Sequence, residues 1–596
     1  MELRNIAIIA HVDHGKTTLI DHMLKQSGLF RSNQEVEDRM MDSMDLEKER
    51  GITISAKNAS FIYNDVKVNI VDTPGHSDFG GEVERILNMV DGAIVLVDAS
   101  EGPLPQTRFV LSKALEQDIK VIVCINKIDR PDRRIDEVMD EIFDLFIDLE
   151  ASDSQADFDT IYAVGKDGYA VLDPNDKADD LKLLFDWVLE KLPAPRVSSD
   201  KPLQLRITNL DYNDYVGRLA IGRVQSGSIK MGQEVALMQE NSQKKFKVSA
   251  LFTFDGMKQV PAEEILAGDI AVIAGFEEMN IGDTIADINE PVALERIEVE
   301  EPTVSMVFSV NDSPFAGLEG EKVTSRNIKE RLDRELRFNV AIRVEETGKT
   351  DAFNVLGRGE LQLGVLIEQM RREGFELLVS KPQVIIKDID GVKSEPMERV
   401  TVDVAEDYVG VVTEKLGKRK GVMQEMSNKG LGRARVVFLI PSRGLIGYRS
   451  EFLTDTRGTG LMSTEFAGWE AYLGDIRQRH NGALVSDRKG AATTYALVNL
   501  EPRGRLFVMP QTEVYEGMVV GEHAKENDLV VNAVREKKLT NVRASGTDDT
   551  VKLAPIKTMS LEDAMEWISD EELIEVTPKT IRIRCRELVP HKRKKK

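Results

Sequence analysis

The segment Ala10-His-Val-Asp-His-Gly-Lys-Thr17 follows an apolar run, Ile6–Ala10, and closes on glycine, lysine and threonine. That composition suits a phosphate cradle. Glycine lets backbone N–H groups approach an anion, Lys16 supplies a point charge for β- and γ-phosphates, and the Thr17 hydroxyl can ligate Mg2+. His14, Gly15 and Thr18 complete the set around the phosphates. Gly15-Lys16-Thr17 by itself also fits an ordinary helix start, and two further motifs weigh against that. Asp72-Thr-Pro-Gly75 ends a second apolar run, Val66–Val71. It offers a carboxylate for Mg2+ and, at Gly75, an unobstructed N–H for the γ-phosphate. Asn126-Lys-Ile-Asp129 ends a third run, Val121–Asn126. The Asp129 carboxylate can accept from the ring N1–H and the exocyclic amine of guanine, and the Lys127 stem can pack along the base. Adenine has neither donor, and a site built on such bonds discriminates by roughly 10⁴-fold or more. In this order the three motifs, Asn126 included, read as a P-loop domain that binds GTP and hydrolyses it to GDP.

These residues need particular elements to hold them. The continuously apolar Ile6–Ala10 predicts a strand covered on both faces, followed by a turn and a helix from about Lys16 to Gln26. Ala59–Tyr63 and Val66–Val71 flank Asn64-Asp65, a hairpin signal. Upstream, Arg50-Gly-Ile-Thr-Ile54 has low structural propensity, and Thr53 there is the natural second Mg2+ ligand, engaged only while the γ-phosphate is present. Such a loop orders with GTP and loosens after hydrolysis. Gly92–Asp98 and about Thr160–Val164 supply further buried strands.

The 596 residues exceed one core and predict several domains. No run approaches the length of a bilayer span, and Ile6–Ala10 is too short for a signal sequence, so no membrane partner is expected. Two cysteines, Cys124 and Cys585, suggest neither a disulfide framework nor a metal cluster, which makes a reducing cytoplasm the default. A net charge of −23 argues against a generally basic nucleic-acid-coating surface. The tail His591-Lys-Arg-Lys-Lys-Lys596 is either a solvated end or a contact to RNA phosphates.

His76 follows Asp72-Thr-Pro-Gly75, and Asp-Thr-Pro-Gly-His resembles the translational GTPases. The resemblance implies that His76 positions the attacking water, that Val12 and Ile52 form the apolar gate restraining it, and that Asp13 is the phosphate-loop aspartate. Ala10 stands where the first glycine is usual, and Gly165-Lys166 where related GTPases place Ser-Ala. Whether the backbone contact to the guanine oxygen survives that change stays open. Three further segments, Asp78-Phe-Gly-Gly-Glu-Val-Glu-Arg85, Glu101-Gly-Pro-Leu-Pro-Gln-Thr-Arg108 and Arg443-Gly-Leu-Ile-Gly-Tyr-Arg449, resemble the BipA (TypA) family, and the likeness runs over essentially the whole chain. It implies a ribosome-associated GTPase of the cytoplasm, with a role in large-subunit assembly and in translation under stress or low temperature. Its partners would be ribosomal RNA of both subunits, with aminoacyl-site tRNA as a further candidate. A GTP-gated RNA-binding scaffold or chaperone, with hydrolysis incidental, is the alternative. Monomer off the ribosome is the default expectation. No arginine is an obvious cis-acting finger, so hydrolysis is expected to be weak alone and stimulated by ribosomes.

The expected fold class is multidomain α/β and β. Residues 1–196 form the P-loop GTPase domain, ending in the proline-punctuated Lys191–Arg196. Residues 197–300, where short β-rich runs alternate with glycine turns, form an antiparallel β-barrel, to which the resemblance adds contact with the small ribosomal subunit. Residues 301–380 and 395–480, joined by a linker over 381–394, show strand–helix alternation suited to ferredoxin-like α+β domains and look like the third and fifth domains of elongation factor G. The linker has no room for that factor's fourth domain, which makes a translocase unlike this chain. Residues 481–596 form a distinctive mixed β-rich C-terminal domain, with Thr494–Leu500 and Gly504–Met509 β-rich, Ser560–Ile568 helical and Thr577–Leu588 strand-like. Arg535-Glu-Lys-Lys-Leu-Thr-Asn-Val-Arg543 is a solvated charged loop on composition; the resemblance turns Lys537, Lys538 and Arg543 into candidates for RNA phosphate binding.

Overall fold

The structure is a computed structural model and describes residues 2–11, 13–28, 45–50, 53, 56–74, 80–297, 301–430, 432–476, 479, 481–536 and 553–593. The chain divides into two compact units, Met1–Glu301 with Leu336–Ala341, and Pro302–Glu335 with Ile342–Lys596.

The first unit begins with β1 (Glu2–Ala10), α1 (Lys16–Gln26), α2 (Asp45–Arg50), β2 (Lys57–Tyr63), β3 (Val66–Asp72), α3 (Gly80–Leu87), β4 (Gly92–Asp98) and α4 (Pro105–Glu116). It continues through β5 (Lys120–Asn126), α5 (Ile135–Asp148), α6 (Asp153–Ala156), β6 (Asp159–Val164), β7 (Tyr169–Val171) and α7 (Lys182–Lys191). Among the described residues, seven strands form one sheet in the order β2-β3-β1-β4-β5-β6-β7. β3, β1, β4, β5 and β6 are mutually parallel, with antiparallel β2 and β7 at the edges. Two apolar clusters cover its faces, which is why β4 is buried at every position. β1, β3, β4 and β5 end at Ala10, Asp72, Asp98 and Asn126, so the segments after Ala10, Asp72 and Asn126 all leave the sheet at its carboxyl edge, where parallel sheets place ligands. The β2–β3 turn is Asn64-Asp65 with φ of 50° and 61°, the doubly left-handed turn whose twist suits a two-residue hairpin.

The strands from Gln204–Arg206 to Thr284–Asp287 pair antiparallel around an apolar core of their own, the barrel expected from the sequence. It abuts the hairpin edge of the first sheet. Ser60 exchanges backbone hydrogen bonds with Gly256, Lys67 Nζ lies 2.8 Å from Asp269 Oδ2, and Arg223 Nη1 lies 2.8 Å from Asp91 Oδ1. The hairpin that ends in Asp72 is thus braced from outside.

In the second unit, Val304–Val310, Ser325–Glu335, Arg343–Glu346, Ala352–Gly357, Glu360–Arg372 and Leu377–Val379 give the β-α-β-β-α-β order. Ala352–Gly357, a strand that the sequence reading passed over, is the hairpin partner of Arg343–Glu346 and lies beside Val304–Val310. Two strands from far along the chain extend this sheet: Glu572–Val576 pairs with Leu377–Val379, and Ile581–Cys585 pairs with Glu572–Val576. A second sheet joins Val392–Ala405 to Arg433–Pro441 and Leu461–Ala471, with helix Glu406–Lys418 on the core face. The Arg443–Arg449 segment is a packing device here. Arg443 is buried, donates to the buried Glu395 and stacks 4.4 Å from the Tyr472 ring centroid. Gly444 and Ile446 carbonyls accept from Arg419, and Tyr448 is fully buried. Thr494–Leu500 is a helix rather than a β-rich run. The Thr493 hydroxyl caps it by accepting from Ala496 N–H, and Ala496 and Leu497 face the core; the cap and the burial outweigh the modest helix propensity of its residues.

Candidate nucleotide site

β1 runs to Ala10, which still pairs with Leu96 and is not left-handed, so nothing at this position demands the usual glycine. Gly15 differs. Its φ is +92°, and a Cβ would fall 2.5 Å from Asn126 Nδ2. Gly15 also caps α1, whose first-turn N–H groups and dipole favour an anion. Thr17 and Thr18 stand in that first turn, half-buried and exposed respectively.

Lys16, Thr53 and Asp72, far apart in sequence, meet. Lys16 Nζ lies 2.7 Å from Asp72 Oδ1 and donates to the Thr73 carbonyl, while the Thr53 hydroxyl donates to Asp72 Oδ2 at 3.3 Å. Asp72 is fully buried, yet among the described residues its Oδ1 accepts no hydrogen bond in bonding geometry, the Lys16 ammonium included. The contact is an ion pair that leaves a lone pair on that oxygen. Two threonine hydroxyls and a carboxylate are hard oxygen donors of the kind Mg2+ takes, so the residues present fit that ion.

Asn126 stitches two loops together. Its Nδ2 donates to the His14 carbonyl and its Oδ1 accepts from Gly165 N–H, both at 2.8 Å. Since Gly165 spends its N–H on Asn126, the donor left in that turn for a base oxygen is the exposed Lys166 N–H, which bonds nothing among the described residues. Asp129 is exposed and makes no hydrogen bond or ion pair among the described residues. Lys127 Nζ donates to the Asp13 carbonyl at 2.6 Å and lies 2.8 Å from Asp98 Oδ2. The His14 ring is buried, 3.8 Å from the Glu101 carboxylate. Burial foremost, and then His11, lowers its pKa to about 4, so at neutral pH the ring is uncharged and that contact is no ion pair. Val12, Ile52, Gly75, His76, Lys537, Lys538 and Arg543 lie outside the described residues. Asp98 was missed from the sequence. Its only signal there is an acid ending the apolar run Gly92–Asp98.

A mostly parallel sheet with the Ala10–Thr17 and Asn126–Asp129 segments at its carboxyl edge, followed by an antiparallel barrel and two α+β sheets, defines the class: a multidomain translational GTPase. Residues 1–198 match the elongation factor Tu GTP binding domain, 217–286 elongation factor Tu domain 2, 392–480 the elongation factor G C-terminus, and 481–590 the TypA/BipA C-terminal domain. The chain is 53% identical over 596 residues to the large ribosomal subunit assembly factor BipA of Escherichia coli K12, covering 100% of this chain and 98% of that protein. Against the Bacillus subtilis protein of the same name it is 51% identical, covering 100% and 97%. A crystal structure of a Thermus thermophilus protein shares the fold at a TM-score of 0.56 and 17% identity, covering 79% of this chain and 97% of that one. The chain belongs to the BipA (TypA) family and is a GTPase that binds guanine nucleotide.

Proposed function

We propose that this GTPase acts on the ribosome in assembly of the large subunit, in the cytoplasm and as a monomer off the ribosome. The observation that carries this is full-length identity of 51–53% to proteins named for that role, combined with a nucleotide site whose parts converge. In this reading Lys16 and the N–H groups at the start of α1 hold the phosphates of GTP, and Asp129, the Lys127 stem and Lys166 N–H hold guanine. Thr17, Thr53 and Asp72 hold Mg2+, which when bound offsets phosphate charge. His76, behind a gate of Val12 and Ile52, orients water toward the γ-phosphorus. The water oxygen–phosphorus bond forms, the bond to the β-phosphate oxygen breaks, and GDP and inorganic phosphate leave. Lys537, Lys538 and Arg543 bind RNA phosphates.

Steady-state GTP hydrolysis, measured with and without purified ribosomes, tests this. Ribosomes are expected to raise turnover of the wild type strongly. His76→Ala should retain GTP affinity and lose the stimulated rate by at least 100-fold, the scale on which catalytic groups that orient a reactant act. A triple Lys537→Ala/Lys538→Ala/Arg543→Ala variant should need more ribosomes for half-maximal stimulation. Equal rates with and without ribosomes would remove the ribosome from the proposal, and a full stimulated rate in His76→Ala would remove His76.

A further inference from the structure

Lys127 and Asp13 share an unusual backbone state. Their φ values are +61° and +65°, the left-handed region that side chains with a Cβ rarely adopt. The two are joined, since the Lys127 ammonium donates to the Asp13 carbonyl. A flexible four-carbon stem does not stay in one place without a second restraint, and the structure supplies one. Asp98, fully buried at the end of β4, sets Oδ2 against the same ammonium at 2.8 Å. Arg130 Nη1 reaches that oxygen at 3.3 Å. The other oxygen, Oδ1, accepts from Ser100 N–H and Ser100 Oγ at 2.8 Å each and from Glu101 N–H at 3.3 Å, so the carboxylate is itself held on both sides. Burial would raise its pKa, but the hydrogen bonds from Lys127 and Ser100 outweigh burial and keep the group well below the usual carboxylate range, ionised at any working pH.

We propose that Asp98 is a positioning residue for guanine-nucleotide binding: it fixes the Lys127 ammonium, and through it both the stem that flanks the base and the Asp13 turn of the phosphate cradle. The inference rests on the nucleotide reading above and deepens it. Asp98 lies under the base-reading loop and touches no nucleotide in this reading; its effect passes through Lys127. Because Asp13 and Lys127 serve GDP and GTP alike, the clasp sets affinity for both and leaves the γ-phosphate-dependent step alone.

Dissociation of a fluorescent GDP analogue and equilibrium binding of GDP and GTP test this on the full-length protein. Asp98→Asn should weaken both nucleotides about tenfold, through faster release, and raise KM for GTP without changing ribosome-stimulated kcat at saturation. Lys127→Ala should weaken binding too, and adding Asp98→Asn to it should cost less than a further twofold, because Asp98 then has nothing left to position. Ser100→Ala, which removes one hydrogen bond to the carboxylate and keeps the Ser100 and Glu101 amides on it, should weaken binding much less than Asp98→Asn does. If Asp98→Asn does not fold, Asp98→Ser serves instead, since its hydroxyl can still accept from the loop amides. Unchanged affinity, a loss additive with Lys127→Ala, or an equal loss in Ser100→Ala would each overturn the proposal. A wild type that binds no guanine nucleotide would instead sink the nucleotide reading beneath it.

Discussion

Single side chains at the nucleotide site show how burial decides chemistry. His14 sits between the cradle and the sheet, where water is excluded, and its imidazole is held at about 4. In the unfolded chain the ring has its ordinary value near 6.5. Between these values the unfolded state binds more protons, so stability falls as pH drops from 6.5 toward 4. From pH 7 to pH 5 that loss is roughly 2 kcal/mol. Urea unfolding of the nucleotide-free protein should therefore show a steeper decline over this range than the His14→Asn variant shows. Identical pH slopes in the two would mean that the ring is not buried neutral. His14 stands in the expected cradle segment, but this property is not legible there, because it depends on burial of the ring and on His11 packed against it. Gly15 and Ala10 make the same point from the backbone side: only the structure shows that the first is sterically required and the second is not.

Elements read well from the sequence where one local signal dominated. The β2–β3 hairpin follows from Asn64-Asp65 between apolar runs, and α1 spans the residues expected of it. Thr494–Leu500 differs from its expected β-rich state because its short apolar pattern fits a strand or a buried helix turn equally, and the Thr493 cap decides. Arg443 marks a different kind of signal. Its segment identifies the family, yet its role is to close a sheet end: Arg443 donates to Glu395 and to the Gly474 carbonyl, while Leu473 N–H donates to the same carboxylate. Arg443→Met strands a buried carboxylate and should destabilise the second unit by about 3–5 kcal/mol. Hydrogen exchange along Leu461–Ala471 and urea unfolding would measure this. The double variant Arg443→Met/Glu395→Met should recover most of the loss; if it is no more stable than the single variant, the uncompensated charge is not the cause.

At the scale of the whole chain, sequence and space disagree in the second unit. Glu572–Val576 and Ile581–Cys585 belong by position to the C-terminal region but complete the sheet begun at Val304. Glu575 seals the junction from a fully buried position, accepting from Asn311, Ser313, Tyr515 and Arg582. Deleting residues 570–596 should thus strip hydrogen-exchange protection from Leu377–Val379 and loosen the Asn311–Gly320 loop, besides perturbing the C-terminal core. Unchanged protection there would show that the added strands contribute little. It follows that a C-terminal truncation does not test the C-terminal region in isolation. The sequence by itself pointed to a GTPase, because the three motifs are short and local and their signal needs no tertiary context. It also gave six strands of the first sheet, helix α1 and the β-rich character of the barrel, where hydrophobic period and turn residues coincide. Only the tertiary structure decided which distant groups meet: Lys16 with Asp72, Asn126 with Gly165, Asp98 with Lys127, and the final strands with the third-domain sheet. Those pairings are set by parallel strands ending at one edge and by strand addition across hundreds of residues, and neither leaves a periodic trace in the chain.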